Sequence, residues 1–229
     1  PAWTLWFLVS LVTLRILLPY IAMLRHPLLF SVVIALIAPL LANLGPAFSA
    51  ARTLAFLPFF VGGWLIRERG WLSGEWFMRP ATRTRLWGWL VLAAVALGFA
   101  LLPTLEGTWR IDKWLTHRDG YAVLFREAPI GDWRPGEWWA IAVGGIGVQA
   151  VLMLLAAAMT VAVLLVVPRS RSAITVWGSR TLFIYLLHAP IIYFLRDSGF
   201  VEAVGSLGVL GILVLIVTGI ALASLLSMG

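Results

Sequence analysis

Seven apolar runs of helical length occupy most of this chain, and they leave little choice of fold. About 20 mainly apolar residues are needed for a helix to cross the hydrocarbon of a bilayer. The runs are Trp3–Leu24, Pro27–Leu44, Ala47–Ile66, Leu86–Leu105, Trp138–Val167, Trp177–Leu195 and Leu207–Leu226. Pro39, Pro58 and Pro190 fall inside three of them, and the fifth is long for one crossing, which implies tilt or an interfacial extension. Strands in a membrane barrel would instead show short segments of alternating polarity. The pattern predicts an all-α fold: a polytopic transmembrane helix bundle of about seven spans, with residues 1–229 forming a single membrane domain.

Composition supports this reading and removes others. Hydrophobic residues make up 62% of the chain and charged ones 12%, whereas a soluble domain carries about 25% charged residues to keep its surface wet. Thirteen Trp suit a bilayer interface, where the indole ring is favoured. The net charge of +7 comes almost wholly from arginine, since Lys113 is the sole lysine among 17 basic residues. No basic stripe with interleaved aromatics is present, so nucleic acid is not an expected partner; the lipid bilayer is. Without cysteine there is no disulfide, thiolate metal site or cysteine nucleophile.

Two polar loops interrupt the apolar runs. The segment 67–85 mixes five Arg with Trp71, Trp76 and Phe77, as an interfacial stretch does. The segment 106–137 is the longest polar stretch and holds His117 and Tyr121; a loop of that length is often functional. Loops on one side carry eight Lys or Arg and those on the other carry seven, while the acids Glu106, Asp112, Asp119, Glu127, Asp132 and Glu137 all fall on the second side. This places 67–85 in the cytoplasm and 106–137 outside, where it could cover a substrate site.

Polar groups within spans are costly and each needs an account. Arg15 lies near the middle of the first span, either facing a polar cavity or held by a structural partner. Arg52 is either a snorkelling anchor or a cation aimed at a phosphate or carbonyl. His188 is either a general base for a sugar hydroxyl or a buried imidazole bonded to a neighbouring helix. Tyr185, three residues earlier, shares its face, and Pro190 frees a nearby carbonyl. Gln149 sits beside Gly144, Gly145 and Gly147, small residues that favour close helix packing over a phosphate cradle. No nucleotide-binding loop, zinc motif or serine elbow occurs.

Three stretches carry a family resemblance. Leu5-Trp6-Phe7-Leu8, followed by Arg15 and Pro19, resembles the Leu-Trp-x-Leu helix of the type 3 membrane acyltransferases. The run from Ser179 to Pro190, with Arg180, Tyr185 and His188, resembles that family's penultimate helix. Arg52-Thr-Leu-Ala-Phe-Leu-Pro-Phe-Phe-Val-Gly62 is similar to the fucose acetylase branch. Leu11 and Val12 stand where many relatives carry paired acids, which favours that branch over the O-antigen branch.

The resemblance implies a bacterial O-acetylation enzyme of the cell (inner) membrane. It would move an acetyl group from acetyl-CoA, as donor substrate and not as a bound cofactor, to a sugar hydroxyl of a cell-surface glycan or lipid-linked precursor. His188 and Arg52 are its expected catalytic residues here, and Arg15, Tyr185 and Trp6 its expected substrate-binding residues; no metal is expected. The family's ten core spans also imply that the first three, with the main catalytic histidine, lie upstream of Pro1, leaving Pro1 outside and Gly229 inside. A transporter or flippase for an amphipathic solute is the alternative, since prolines within spans suit broken helices around a midplane site.

Overall fold

The computed structural model describes residues 6–41, 50–105, 109–170 and 190–227. The chain divides into two compact units, one formed by Trp6–Val167 and the other containing Pro168–Gly229. Every regular element among the described residues is helical, apart from isolated bridges at Trp109, Ile130 and Trp133.

In the first unit α1 (Trp6–Ala22) carries Pro19 inside it, and α2 (Pro27–Ile37) opens on a proline whose missing N–H would be unpaired there anyway. The second predicted span does not continue as one helix. It tightens into a 3-10 turn at Ala38–Leu40, because Pro39 has no N–H to offer the α-helical ladder. The next helix, α3 (Ala50–Glu68), retains Pro58 in its interior. Leu14 and Ile21 of α1 pack against Leu57 and Val61 of α3, with Ile34 of α2 against the same cluster. Because Ser10 meets Thr53 while Leu14 and Ile21 lie further along beside Leu57 and Val61, α1 and α3 run parallel.

That first contact is polar. The Thr53 hydroxyl donates to Ser10 Oγ at 2.8 Å, and both residues are buried. Replacing Thr53 with valine should cost about 1 kcal/mol, because the Ser10 oxygen loses its donor while remaining dry. A double-mutant cycle with Ser10→Ala in detergent unfolding should recover most of that cost.

After α3 the chain turns at Gly70, whose φ of 63° suits glycine, into a 3-10 turn at Trp71–Ser73 and then α4 (Glu75–Met78). Arg69 lies over the Trp71 ring, 5.5 Å from its centroid. Two long apolar helices follow in the sequence: α5 (Thr82–Leu105) and, beyond residues 109–137, α8 (Trp138–Val166). A Cβ added at Gly88 would lie 2.9 Å from Val166 Cγ2 and 3.1 Å from the Ala162 carbonyl, so glycine lets the start of α5 approach the end of α8. The two helices are therefore antiparallel.

Stretches of α5 and α8, Thr82–Leu101 and Trp138–Val166, are long and apolar enough to cross a membrane, and little of either is buried. A core helix of a soluble protein would be buried, whereas these expose Leu86, Trp87, Trp89, Leu97, Trp138, Val143, Val151 and Leu154. At 1.5 Å per residue α8 is about 43 Å long, more than a hydrocarbon core of about 30 Å requires. Phe7–Ala22, Pro27–Leu40 and Leu213–Leu222 are apolar but shorter. Seven runs were expected to span; among the described residues two helices meet the length and composition that a crossing demands.

In the second unit residues 190–197 are helical and form α9. Gly199, with φ 76°, leads into α10 (Phe200–Gly205), and α11 (Val209–Ser227) matches the last predicted run. The Gly211 backbone lies against the Val204 carbonyl, an approach that any Cβ would prevent.

Candidate functional site

The polar segment between α5 and α8 folds into a compact cap, residues 109–137, with two short helices: α6 (Ile111–Leu115) and α7 (Tyr121–Glu127). Its core is aromatic. Trp114 and Tyr121 are each 1% exposed and stack with centroids 6.4 Å apart, while Phe125 meets Trp114 edge-on at 5.1 Å and Trp133 at 5.0 Å. Trp114 Nε1 donates to the Ala128 carbonyl at 2.9 Å. The outer face carries exposed ion pairs, Arg110–Asp112 and Lys113–Glu127, and the cation in each holds its partner's carboxyl below the usual range. Exposed pairs of this kind contribute little to stability.

Two devices seat the cap on the helices. The Tyr121 hydroxyl donates to the Leu36 carbonyl at 2.9 Å, satisfying one of the last carbonyls of α2, which have no intrahelical donor. Burial pushes the Tyr121 phenol well above its ordinary value, so it stays a neutral donor. On the other side, Gly144 and Gly145 of α8 leave room for Trp133, Phe125 and Tyr121. A Cβ at Gly145 would fall on the Tyr121 ring. Gly120 likewise lets the chain pass the Pro39 carbonyl, 2.8 Å from where its Cβ would lie.

Where the cap meets the helices, three polar side chains converge. Arg52, two residues into α3, donates from Nε to the Thr116 carbonyl at 3.2 Å. The next residue, His117, has φ 48°, and among the described residues it is the one non-glycine with positive φ. Such a backbone costs on the order of 1 kcal/mol and persists only where its surroundings enforce it. Here they do: Gln149 of α8 hydrogen-bonds His117 Nδ1 at 3.3 Å, and Phe56 of α3 presents itself edge-on with ring centroids 6.0 Å apart. Gln149 is buried, so its amide cannot turn to water for a partner.

Burial pushes the His117 imidazole below its ordinary value, more than the Gln149 hydrogen bond raises it, and the Arg52 charge lowers it further. At neutral pH the ring is uncharged and keeps one nitrogen able to accept a proton. The arrangement offers a neutral acceptor, an amide and a guanidinium within one small region, which suits a polar substrate carrying hydroxyl and carbonyl groups.

The sequence-predicted residues divide around this cluster. Arg52 is part of it. Arg15 is exposed on α1, has no hydrogen bond or ion pair to the described residues, and stands beside the buried Leu14. Trp6 opens α1. Tyr185 and His188 lie outside the described residues. His117, read from the sequence as a loop histidine, joins Arg52 instead, together with Gln149. Arg52 was singled out in the sequence, and the advance signal for the rest of the cluster was Gln149, a polar residue in an apolar run.

Among the described residues the protein is all-helical, with two helices long and apolar enough to cross a membrane and a polar cluster beneath a cap. A family model described as an acyltransferase domain matches residues 1–228, and the chain belongs to this type 3 acyltransferase family. No curated protein and no solved structure matches it.

Proposed function

We propose that this protein is a multi-pass O-acyltransferase of the cell membrane, moving an acetyl group from acetyl-CoA to a sugar hydroxyl of a surface glycan or lipid-linked precursor. The family match over residues 1–228 carries the reading at the level of an acyltransferase. The acetyl donor and sugar acceptor follow from the resemblance of the Arg52–Gly62 stretch to the fucose acetylase branch and of the Ser179–Pro190 stretch to the family's penultimate helix. In this reading α1, α2, α3, α5, α8, α11 and the run containing His188 all cross or enter the bilayer.

The position of Arg52 supports a division of labour. Along α3, Arg52 and Arg67 are separated by about 22 Å, so the cap and the arginine-rich 67–85 segment leave opposite ends of that helix. With 67–85 in the cytoplasm, the donor nucleotide approaches that end and the acceptor approaches the cap. Arg52 then serves the carbonyl rather than the nucleotide: its charge steadies the oxyanion that forms as the acceptor oxygen attacks the thioester. His188 is the candidate proton acceptor, with Arg15, Tyr185 and Trp6 binding substrate.

The full-length protein in lipid nanodiscs, supplied with radiolabelled acetyl-CoA and alkali-deacylated surface polysaccharide, should label the polysaccharide. Arg52→Ala should lower the rate about 100-fold, the usual effect of removing one such donor, and Arg52→Lys should recover part of it. Export of an unmodified solute, with no label transferred, would favour the transporter reading and end this one.

A further inference from the structure

The free nitrogen of His117 is the most informative atom in the cluster. Gln149 occupies Nδ1, and among the described residues no group hydrogen-bonds Nε2, which is also not a buried, unpartnered atom. The ring is thus fixed from one side and open on the other. Three separate elements spend structure on holding it so: α8 through Gln149, α3 through the Arg52 bond to Thr116 and the Phe56 edge, and the cap through a left-handed backbone. A histidine with no task could relax into an ordinary conformation and turn its ring to water.

We propose that His117, oriented by Gln149 and placed beside Arg52, forms a subsite for the acceptor: Nε2 accepts a hydrogen bond from a hydroxyl of the sugar. The proposal rests on the acyl-transfer reading for the identity of the ligand. A hydroxyl fits, because the ring is neutral and a hydroxyl can pair with the open nitrogen in either tautomer. The contact as it stands puts Gln149 Nε2 against Nδ1; the two ends of the amide exchange on a half-turn, and acceptance at His117 Nε2 takes the orientation in which Nδ1 carries the proton and donates it to Gln149 Oε1. An anionic ligand would be drawn to Arg52 but would find no donor on the open nitrogen. A cationic ligand would meet the Arg52 charge.

The surroundings make the subsite sensitive to pH in one direction. Arg52 is the charged group that α3 brings to the ring. Neither α8 nor α2 contains a titratable residue, and within the cap Arg118 and Asp119 follow His117 in the chain, while Lys113 is engaged with Glu127. Below its depressed pKa His117 becomes a cation, with both nitrogens donors, and no longer accepts from a hydroxyl. Acceptor affinity is therefore full above that point and falls as pH drops through it, while affinity for acetyl-CoA does not follow.

The test uses the full-length protein in nanodiscs and measures binding of alkali-deacylated surface polysaccharide directly, so that its outcome does not depend on turnover. His117→Gln should weaken that binding about tenfold, the value of one lost hydrogen bond at 1.4 kcal/mol, and leave acetyl-CoA binding within twofold. Gln149→Glu keeps the histidine and adds a carboxylate against Nδ1. It should move the acid limb of polysaccharide binding upward by about one pH unit or more, because the imidazolium is stabilised. A structural role alone would move neither the donor–acceptor split nor the limb. Unchanged polysaccharide affinity in His117→Gln, or an unmoved limb in a folded Gln149→Glu protein, overturns the subsite. Normal binding with no transfer of label in the wild type overturns the acyl-transfer reading and leaves the subsite standing.

Discussion

Gly145→Ala should detach the cap from α8 and remove most of the activity. The new methyl would occupy the space of the Tyr121 ring, which packs directly on the glycine. Tyr121 cannot give way cheaply, because it is 1% exposed, stacks on Trp114 and holds the Leu36 carbonyl through its hydroxyl. Overpacking of this kind costs about 3 kcal/mol, enough to release a segment whose own core is small. Gly147→Ala is the matched control. Nothing lies within 4 Å of its added Cβ, so a mid-helix alanine there should stabilise by about 0.5–1 kcal/mol. The readout is limited proteolysis in detergent: Gly145→Ala should be cut rapidly between 109 and 137, with acyl transfer reduced more than tenfold, and Gly147→Ala should resist as the wild type does. Equal resistance of the two variants would mean that the cap is not seated on α8 through this contact.

The same contrast shows what the sequence could disclose. The long helices were legible because lipid imposes a length: the run predicted at Trp138–Val167 is the helix Trp138–Val166. The last run, Leu207–Leu226, is the helix Val209–Ser227. Pro39 was visible as an interruption, but its consequence was not. Ending α2 at Ile37 releases carbonyls, and the Tyr121 hydroxyl takes one of them from 85 residues away. The cap helices α6 and α7 span five and seven residues, too short for a periodic pattern to emerge.

The site was half legible for a related reason. Arg52 and Gln149 announce themselves as polar groups in apolar runs, where each must be explained. His117 lies in a polar loop, where a histidine needs no explanation, and its value comes from partners distant in the chain. Thr116 and Arg52 are 64 residues apart, and His117 and Gln149 are 32. No local spacing encodes such a meeting; the folding of the cap does. The sequence also offered Arg15 as a substrate-binding residue, and it lies on the exposed face of α1, because the residue that α1 turns toward α3 at that level is Leu14.

Trp114→Ala should be the most destabilising single change in the cap, because it removes three things together. The indole is almost wholly buried, so its deletion leaves a cavity and costs about 3–5 kcal/mol. The Ala128 carbonyl loses the Nε1 donor, and Tyr121 and Phe125 lose the ring that they pack against. Trp114→Phe separates these contributions: it retains a ring between Tyr121 and Phe125 and gives up only the hydrogen bond and part of the area, so about 1–2 kcal/mol should be lost. The α1–α3 cluster shares no residue with the cap core, so in both variants it should unfold at its usual denaturant concentration while the cap opens earlier. Hydrogen exchange resolves the two regions. In Trp114→Ala, amides of 111–128 should exchange at least 100-fold faster, those of 53–65 should be unchanged, and acyl transfer should fail because His117 is no longer carried to Arg52 and Gln149. Should exchange accelerate equally in both regions, the cap would be part of one cooperative unit with the bundle rather than a separable structure laid upon it.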